Sequence, residues 1–289
     1  MDGKQEQEIS QQVPTGKTLW MQEEKARQWG KAFSEPILGQ HMDRTEKDCL
    51  EAVLKEEEFT CRKIIDVGCG TGRYFSFFPD VEVAIGVDIS VEMLRLAKED
   101  NPDVSFIVAD ITKLPFKDGV FDCVLSTRTL QHVVDQRTAV GELARLVAKE
   151  GRLVPLFFNA LTLHCLYKNY RQSAPVRAID QFLNITKNKN RLLKPFLGSW
   201  EYNYDNYIFF GEMNKLLKGA GLTVTSVRGV TLGGHWILIY FYLGVLLQRN
   251  FSPSLRVYFN LCMVVERCFR SRFPFKYLMD KIMLSAVRQ

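Results

Sequence analysis

The chain has no Cys-x-x-Cys pair, only four histidines and no strong excess of one charge. It also lacks any apolar run of the roughly 20 residues needed to cross a bilayer. Each shortfall excludes something. The seven cysteines (Cys49, Cys61, Cys69, Cys123, Cys165, Cys262 and Cys268) are odd in number and scattered, so neither a zinc ribbon nor a disulfide framework is expected. No metal site is expected either. The longest apolar run, Trp236 to Leu247, is too short for a membrane span. The opening Met-Asp-Gly-Lys-Gln-Glu has no basic-then-apolar leader pattern, so the expectation is a cytoplasmic chain with free thiols. With 38 Lys plus Arg against 33 Asp plus Glu, the formal charge of +5 does not require a nucleic-acid partner. Internal repeats and low-complexity segments are absent as well.

What remains is a chain of 289 residues with 46% hydrophobic content, enough for one large domain carrying a substantial insertion. Its charge is uneven. Residues 1–60 hold 13 acidic and 8 basic side chains, whereas 152–204 and 249–289 each hold 8 basic and 2 acidic. From Leu19 to Phe59 the pattern reads as two helices, with Trp20 and Trp29 as docking aromatics and a break at Pro36.

Residues 62–155 alternate short apolar runs with amphipathic stretches. The runs are Lys63–Val67, Val83–Val87, Val104–Val108, Phe121–Ser126 and Arg152–Phe158; the stretches between them include Gly72–Phe78, Val91–Asp100 and Ala139–Ala148. Runs that are continuously apolar predict strands buried on both faces, hence a parallel sheet between helices. That is a doubly wound α/β domain. After Asn159 the rhythm changes: 160–204 is basic and aromatic, 206–221 reads as a helix, Leu222–Arg228 as a strand, 235–270 as apolar helix, and Ile282–Arg288 as a last strand.

The segment Ile64-Ile65-Asp66-Val67-Gly68-Cys69-Gly70-Thr71-Gly72 runs from a strand into a glycine-rich turn. Glycine serves where the backbone turns sharply or a ligand approaches the main chain. A dinucleotide fingerprint would want Gly or Ala where Arg73 stands, and no Walker lysine follows. Asp66, ahead of the turn, suits an ammonium or sulfonium better than a phosphate. Asp88, in Gly86-Val87-Asp88-Ile89-Ser90, ends the second run, where an acid can accept both hydroxyls of a ribose. Asp110 and Ile111 end the third, where an acid can meet the amine of adenine and Ile111 can pack on its ring.

Together these segments resemble the class I S-adenosylmethionine-dependent methyltransferases, in particular the type 11-like small-molecule group. The matching pieces are IIDVGCGTG (64–72), GVDIS (86–90), VADITKLPF (108–116), FDCVLSTRTLQHV (121–133) and ELARLVAKEGRL (142–153). The resemblance implies S-adenosyl-L-methionine as cofactor and a doubly wound, mostly parallel seven-stranded sheet with one reversed strand. It divides the chain into a helical N-terminal cap over 1–60 and a methyltransferase domain over 61–289, with acceptor-side insertions at 160–204 and 229–281. It carries cofactor contacts to Asp66, Gly68, Cys69 and Gly70 at the methionine end, Asp88 and Ile89 at the ribose, Asp110 and Ile111 at the adenine, and Ser126 after the fourth strand. Relatives often have Leu-Lys-Pro-Gly-Gly where this chain has Val147-Ala-Lys-Glu-Gly151, a difference that affects the turn before the fifth strand.

Transfer from a sulfonium needs no proton on the leaving group, so the protein's share is alignment and desolvation, plus a base if the acceptor is an alcohol. His132, just beyond the fourth run, is the candidate base; its alternative role is to fix the following helix. His41, His164 and His235 are further candidates with ordinary core or surface alternatives. Arg128 could bind an acceptor anion or pair with a neighbouring acid. The insertions set Lys187, Lys189, Arg191 and Lys194 among aromatics, and 235–270 among large apolar side chains. A small-molecule or lipid-like acceptor with an anionic or hydrophobic part fits that mixture, as does peripheral membrane contact through 235–270 or a homodimer seam. An RNA (tRNA) methyltransferase is the alternative of another class, disfavoured because Ser126-Thr-Arg-Thr lacks the Asn/Asp-Pro-Pro-aromatic signature. A non-catalytic cofactor-binding protein is a third reading. A metalloid acceptor held by Cys61, Cys165 and Cys268 has no diagnostic spacing behind it.

Overall fold

The computed structural model describes residues 37–56, 59–160, 207–230, 252–277, 279 and 281–289, together with 24, 27 and 31. Its strands are β1 (Lys63–Val67), β2 (Val83–Asp88), β3 (Ser105–Val108), β4 (Phe121–Thr127), β5 (Val147–Phe158), β6 (Leu222–Val230) and β7 (Lys281–Arg288). They form one seven-stranded sheet in the order β3-β2-β1-β4-β5-β7-β6. It is parallel from β3 to β5, and β7 runs antiparallel to both neighbours. The doubly wound α/β architecture with one reversed strand is therefore observed.

Five helices are described: α1 (Ile37–Leu54), α2 (Val91–Asp100), α3 (Gln136–Leu146), α4 (Phe210–Gly219) and α5 (Ser252–Phe269). Two of the starts are written in their caps. The Ser90 hydroxyl accepts from the Met93 amide at 3.3 Å, and the Asp135 carboxylate from the Thr138 amide at 3.0 Å, each satisfying a donor the first turn leaves open.

Alternate strand residues then face opposite helical layers. Ile65, Val67, Val124, Leu153 and Phe157 pack with Val140 and Leu143 of α3 and with Met213 and Leu217 of α4. Ile64, Cys123, Leu125 and Leu156 pack with Cys49, Leu50 and Val53 of α1. Both faces are thus dry, as continuous apolar strands require. On its outer side α1 is clasped to α5: Asp48 accepts from Arg267 through both oxygens at 2.9 Å and from Arg270 at 2.9 Å.

Two local expectations change. Gly72–Phe78 is a turn ending in a 3-10 segment at Phe75–Phe77, not a short helix; so few residues before Pro79 leave no room to propagate helical hydrogen bonds. Strand β5 begins at Val147 rather than Arg152, absorbing the expected turn as an irregular start with Glu150 at φ 64°. Trp20, Trp29, His164, His235, Cys165, the 187–194 cations and all of 235–250 lie outside the described residues. No helix among the described residues is long and apolar enough to cross a membrane.

Candidate active site

At the carboxyl edge of the sheet, where β1 to β4 end, lies a cavity of about 430 Å³. That size suits a nucleoside-sized ligand. Gly68, Cys69 and Gly70 line it after β1, Asp88 and Ile89 at β2, Asp110 and Ile111 after β3, and Thr127, Arg128, Thr129 and His132 at and after β4. Seven of the nine expected cofactor contacts therefore meet in one place, with His132 beside them.

The glycine loop has a steric cause. Gly68 sits at φ +76°, and a Cβ there would stand 2.1 Å from the Thr129 hydroxyl. Only glycine allows the loop to fold back over β2, where the Gly68 and Cys69 amides donate to the Val87 carbonyl at 2.7 and 3.0 Å. That contact places Asp88 against the loop. One carboxylate oxygen accepts from the Gly70 amide and the other from the Ser90 amide, both at 2.9 Å. Burial raises its pKa, and these amide bonds oppose the rise. A carboxylate oxygen can accept more than one hydrogen bond, and Asp88 lines the cavity. One oxygen of Asp110 is engaged locally by the Thr112 amide at 3.0 Å and hydroxyl at 2.9 Å.

Two expected contacts are placed differently. Asp66 is fully buried and does not line the cavity; neither oxygen has a hydrogen-bond partner among the described residues. Burial pushes its pKa up to about 7, with Arg73 opposing and Asp88 adding to the rise. Ser126 lies inside β4 rather than after it, and its buried side chain also stays off the cavity wall. The strand runs one residue further than its apolar pattern suggested, so Thr127 to Thr129 take the expected place.

The other surprise is a buried ionic cluster on the cavity's inner wall. Glu46 of α1 is fully buried and accepts from the Lys281 ammonium at 2.7 Å, the Tyr74 hydroxyl at 3.1 Å, Arg128 at 3.4 Å and Arg73. Burial raises its pKa, but the three cations outweigh that and hold it well below the usual carboxylate range. Arg73 also donates to Asp43 at 2.7 Å. Arg73 and Arg128 both face the cavity. Of the two roles left open for Arg128, pairing with an acid is the one observed, and the residue also lines the cavity. Its partner was beyond reach of pattern reading, because the two lie 82 residues apart. The Nε2 of His132 is 3.2 Å from the Gln131 amide nitrogen. His41 stands apart, 3.7 Å from Glu266 between α1 and α5.

Comparison with known proteins follows this geometry. The profile of the family described as "Methyltransferase domain" matches residues 65–154. A demethylmenaquinone methyltransferase of Streptomyces avermitilis is 32% identical over 183 residues, covering 60% of this chain and 73% of that protein. One of Paenarthrobacter aurescens is 37% identical over 99 residues, which is 34% of this chain and only 39% of the relative. Among solved structures, the magnesium protoporphyrin IX methyltransferase of Synechocystis with bound SAM superposes with a TM-score of 0.56 at 13% identity, covering 96% and 99% of the two chains. The [4+2]-cyclase SpnF superposes with a TM-score of 0.57 at 15% identity, covering 96% and 97%. At such identities the likeness is one of fold, and the cyclase marks how little fold alone says about chemistry.

Proposed function

The chain belongs to the class I S-adenosylmethionine-dependent methyltransferases, and from that premise we propose that it methylates a small acceptor with an apolar body and an ionisable hydroxyl, of the quinol type. The observation that carries the cofactor site is the meeting of Asp88, Asp110 and the Gly68–Gly70 loop in one cavity. Orphaned Asp66 beneath the loop favours a ligand that is cationic at that point. S-adenosylmethionine, when bound, supplies an electrophilic methyl group on a sulfonium.

In this reading Asp88 accepts the ribose hydroxyls, Asp110 and Ile111 hold the adenine, and the Gly68–Gly70 loop lets the methionine end lie against main chain. Asp66 acts on that end through its field and Ser126 through the packing of β4, rather than by contact. His132 stands at the cavity wall as the group that takes a hydroxyl proton from the acceptor. Met93, Val133 and Val134 give the same cavity an apolar margin for the acceptor's body. The names of the curated relatives point to a quinone-type acceptor for those proteins, and that is the class to test first here. Residues 1–60 would serve as a cap, with 160–204 and 229–281 as the acceptor-side insertions. The outward face of α5 would rest on the membrane that holds such an acceptor.

The test is incubation of the purified chain with methyl-labelled S-adenosylmethionine and, in parallel, a reduced polyprenyl naphthoquinol, a lipid-linked sugar phosphate and bulk tRNA. Label in the organic extract of the quinol reaction is expected. Label in the RNA, or in the sugar phosphate alone, would replace the proposed acceptor.

A further inference from the structure

We infer that Gln131 is a positioning residue that sets the tautomer of His132, holding the ring proton on Nδ1 and the lone pair on Nε2. The contact needs no substrate; its use in the reaction rests on the reading of His132 as the base given above. The chain leaves β4 through Arg128 in left-handed backbone, φ 57°, and enters the single 3-10 turn Leu130–His132. That turn is fixed in several ways. Leu130 is fully buried in the core shared with α3, and its carbonyl accepts from the Gln136 side-chain amide at 3.0 Å. The His132 backbone amide donates to the Thr129 carbonyl at 2.9 Å. Within the turn the two neighbours divide: Gln131 is 1% exposed and off the cavity wall, whereas His132 lines the cavity.

The side-chain nitrogen of Gln131 meets the Arg128 carbonyl oxygen, and only a donor can do so. That contact fixes which way round the amide stands. Its other N–H is directed to the second neighbour, Nε2 of His132, at 3.2 Å. Two N–H groups cannot bond to each other, so Nε2 brings a lone pair and the proton of the neutral ring stands on Nδ1. The amide oxygen Oε1 is buried with no hydrogen-bond partner among the described residues. Such an orphan costs stability, and a methionine of similar length would avoid it. The glutamine is thus used for its nitrogen. A contact of 3.2 Å is at the long end of the hydrogen-bond range, so an acceptor's hydroxyl can take it over. The hydroxyl proton then passes to Nε2, and the electron pair of the O–H bond stays on the acceptor's oxygen. A ring in the other tautomer would carry its lone pair on Nδ1 instead.

Nitrogen-15 NMR of the full chain tests this without turnover. With four histidines the ring signals are few, and those of His132 are identified by their loss in His132→Gln. At alkaline pH, with the ring neutral, Nδ1 should show the shift of a protonated ring nitrogen and Nε2 that of an unprotonated one. Gln131→Met should move the proton to Nε2 in most molecules, the form a free imidazole side chain prefers in water. Gln131→Glu, which offers an acceptor in place of the amide N–H, should also place a proton on Nε2. A wild-type ring with its proton on Nε2, or variants that keep the wild-type pattern, would overturn the inference. If the methionine variant does not melt cooperatively, the wild type and the glutamate variant decide by the same criterion. In turnover with the reduced polyprenyl naphthoquinol, Gln131→Met should lower kcat about tenfold with KM within about threefold. An unchanged kcat would remove Gln131 from the reaction. The two readings fail separately. A labelled quinol from a chain whose ring proton sits on Nε2 sinks the positioning role alone; the expected tautomer in a chain that leaves the quinol unlabelled sinks the acceptor reading alone.

Discussion

Asp66 stands beneath the glycine loop with both oxygens lacking hydrogen bonds among the described residues. Burial lifts its pKa from an ordinary 3.8 to about 7. The sign of the consequence follows from linkage. Below 3.8 the group is protonated in both states and costs nothing; above that value the unfolded chain ionises first, and stability falls until the folded carboxyl also ionises near 7. At about 1.36 kcal/mol per unit the loss approaches roughly 4 kcal/mol. Asp66→Asn should therefore remove a slope, gaining stability over the wild type as pH rises from about 4 to 7 and holding that gain above it. Urea unfolding at several pH values measures it, and parallel profiles for the two chains would refute the assignment. An ionised acid so poorly solvated is one that a neighbouring sulfonium would relieve, which ties its cost to the ligand.

Among the elements, α1 is the one whose role most exceeds its sequence. Glu46 fastens it to the loop after β1 through Arg73, to the turn after β4 through Arg128, and to the start of β7 through Lys281. Removing one member of such a buried set leaves cations without compensation. Glu46→Gln should cost about 3–5 kcal/mol. The clasp between α1 and α5 provides the contrast: Asp48 is partly solvated, and Asp48→Asn should cost about 1 kcal/mol or less. Thermal melts of the two variants side by side would show the difference, and equal shifts would mean that burial does not set the strength of these pairs. The same contrast explains what the chain discloses in sequence. The glycine loop, Asp88 and Asp110 act within a few residues of their strand ends, so pattern and chemistry coincide locally. Glu46 gathers partners 27, 82 and 235 residues away, and no local pattern carries such a set. Ser126 was misplaced for a smaller reason: apolar character ends before the hydrogen bonding of β4 does.

At the scale of the whole molecule, α5 turns an apolar stripe outward. On α5, Val257, Leu261, Val264 and Val265 are 41–62% exposed at positions i, i+4, i+7 and i+8, one continuous stripe. Met263, Glu266 and Arg270 of the opposite stripe are buried. Phe273, just beyond the helix, is 79% exposed, and Arg267 and Arg272 are exposed near it. An apolar ridge beside basic groups suits the surface of an anionic bilayer, where each nearby cation adds about 1 kcal/mol. It also suits the lipid-soluble acceptor proposed above. The expected result is cosedimentation with vesicles containing phosphatidylglycerol, weaker with neutral phosphatidylcholine and falling as salt rises. Leu261→Glu combined with Val264→Glu should abolish it while melting within a few degrees of the wild type, since both side chains already face water. If vesicles capture neither chain, and sedimentation equilibrium instead shows a dimer that the double variant splits, then the ridge joins two copies of this chain and the membrane contact is wrong.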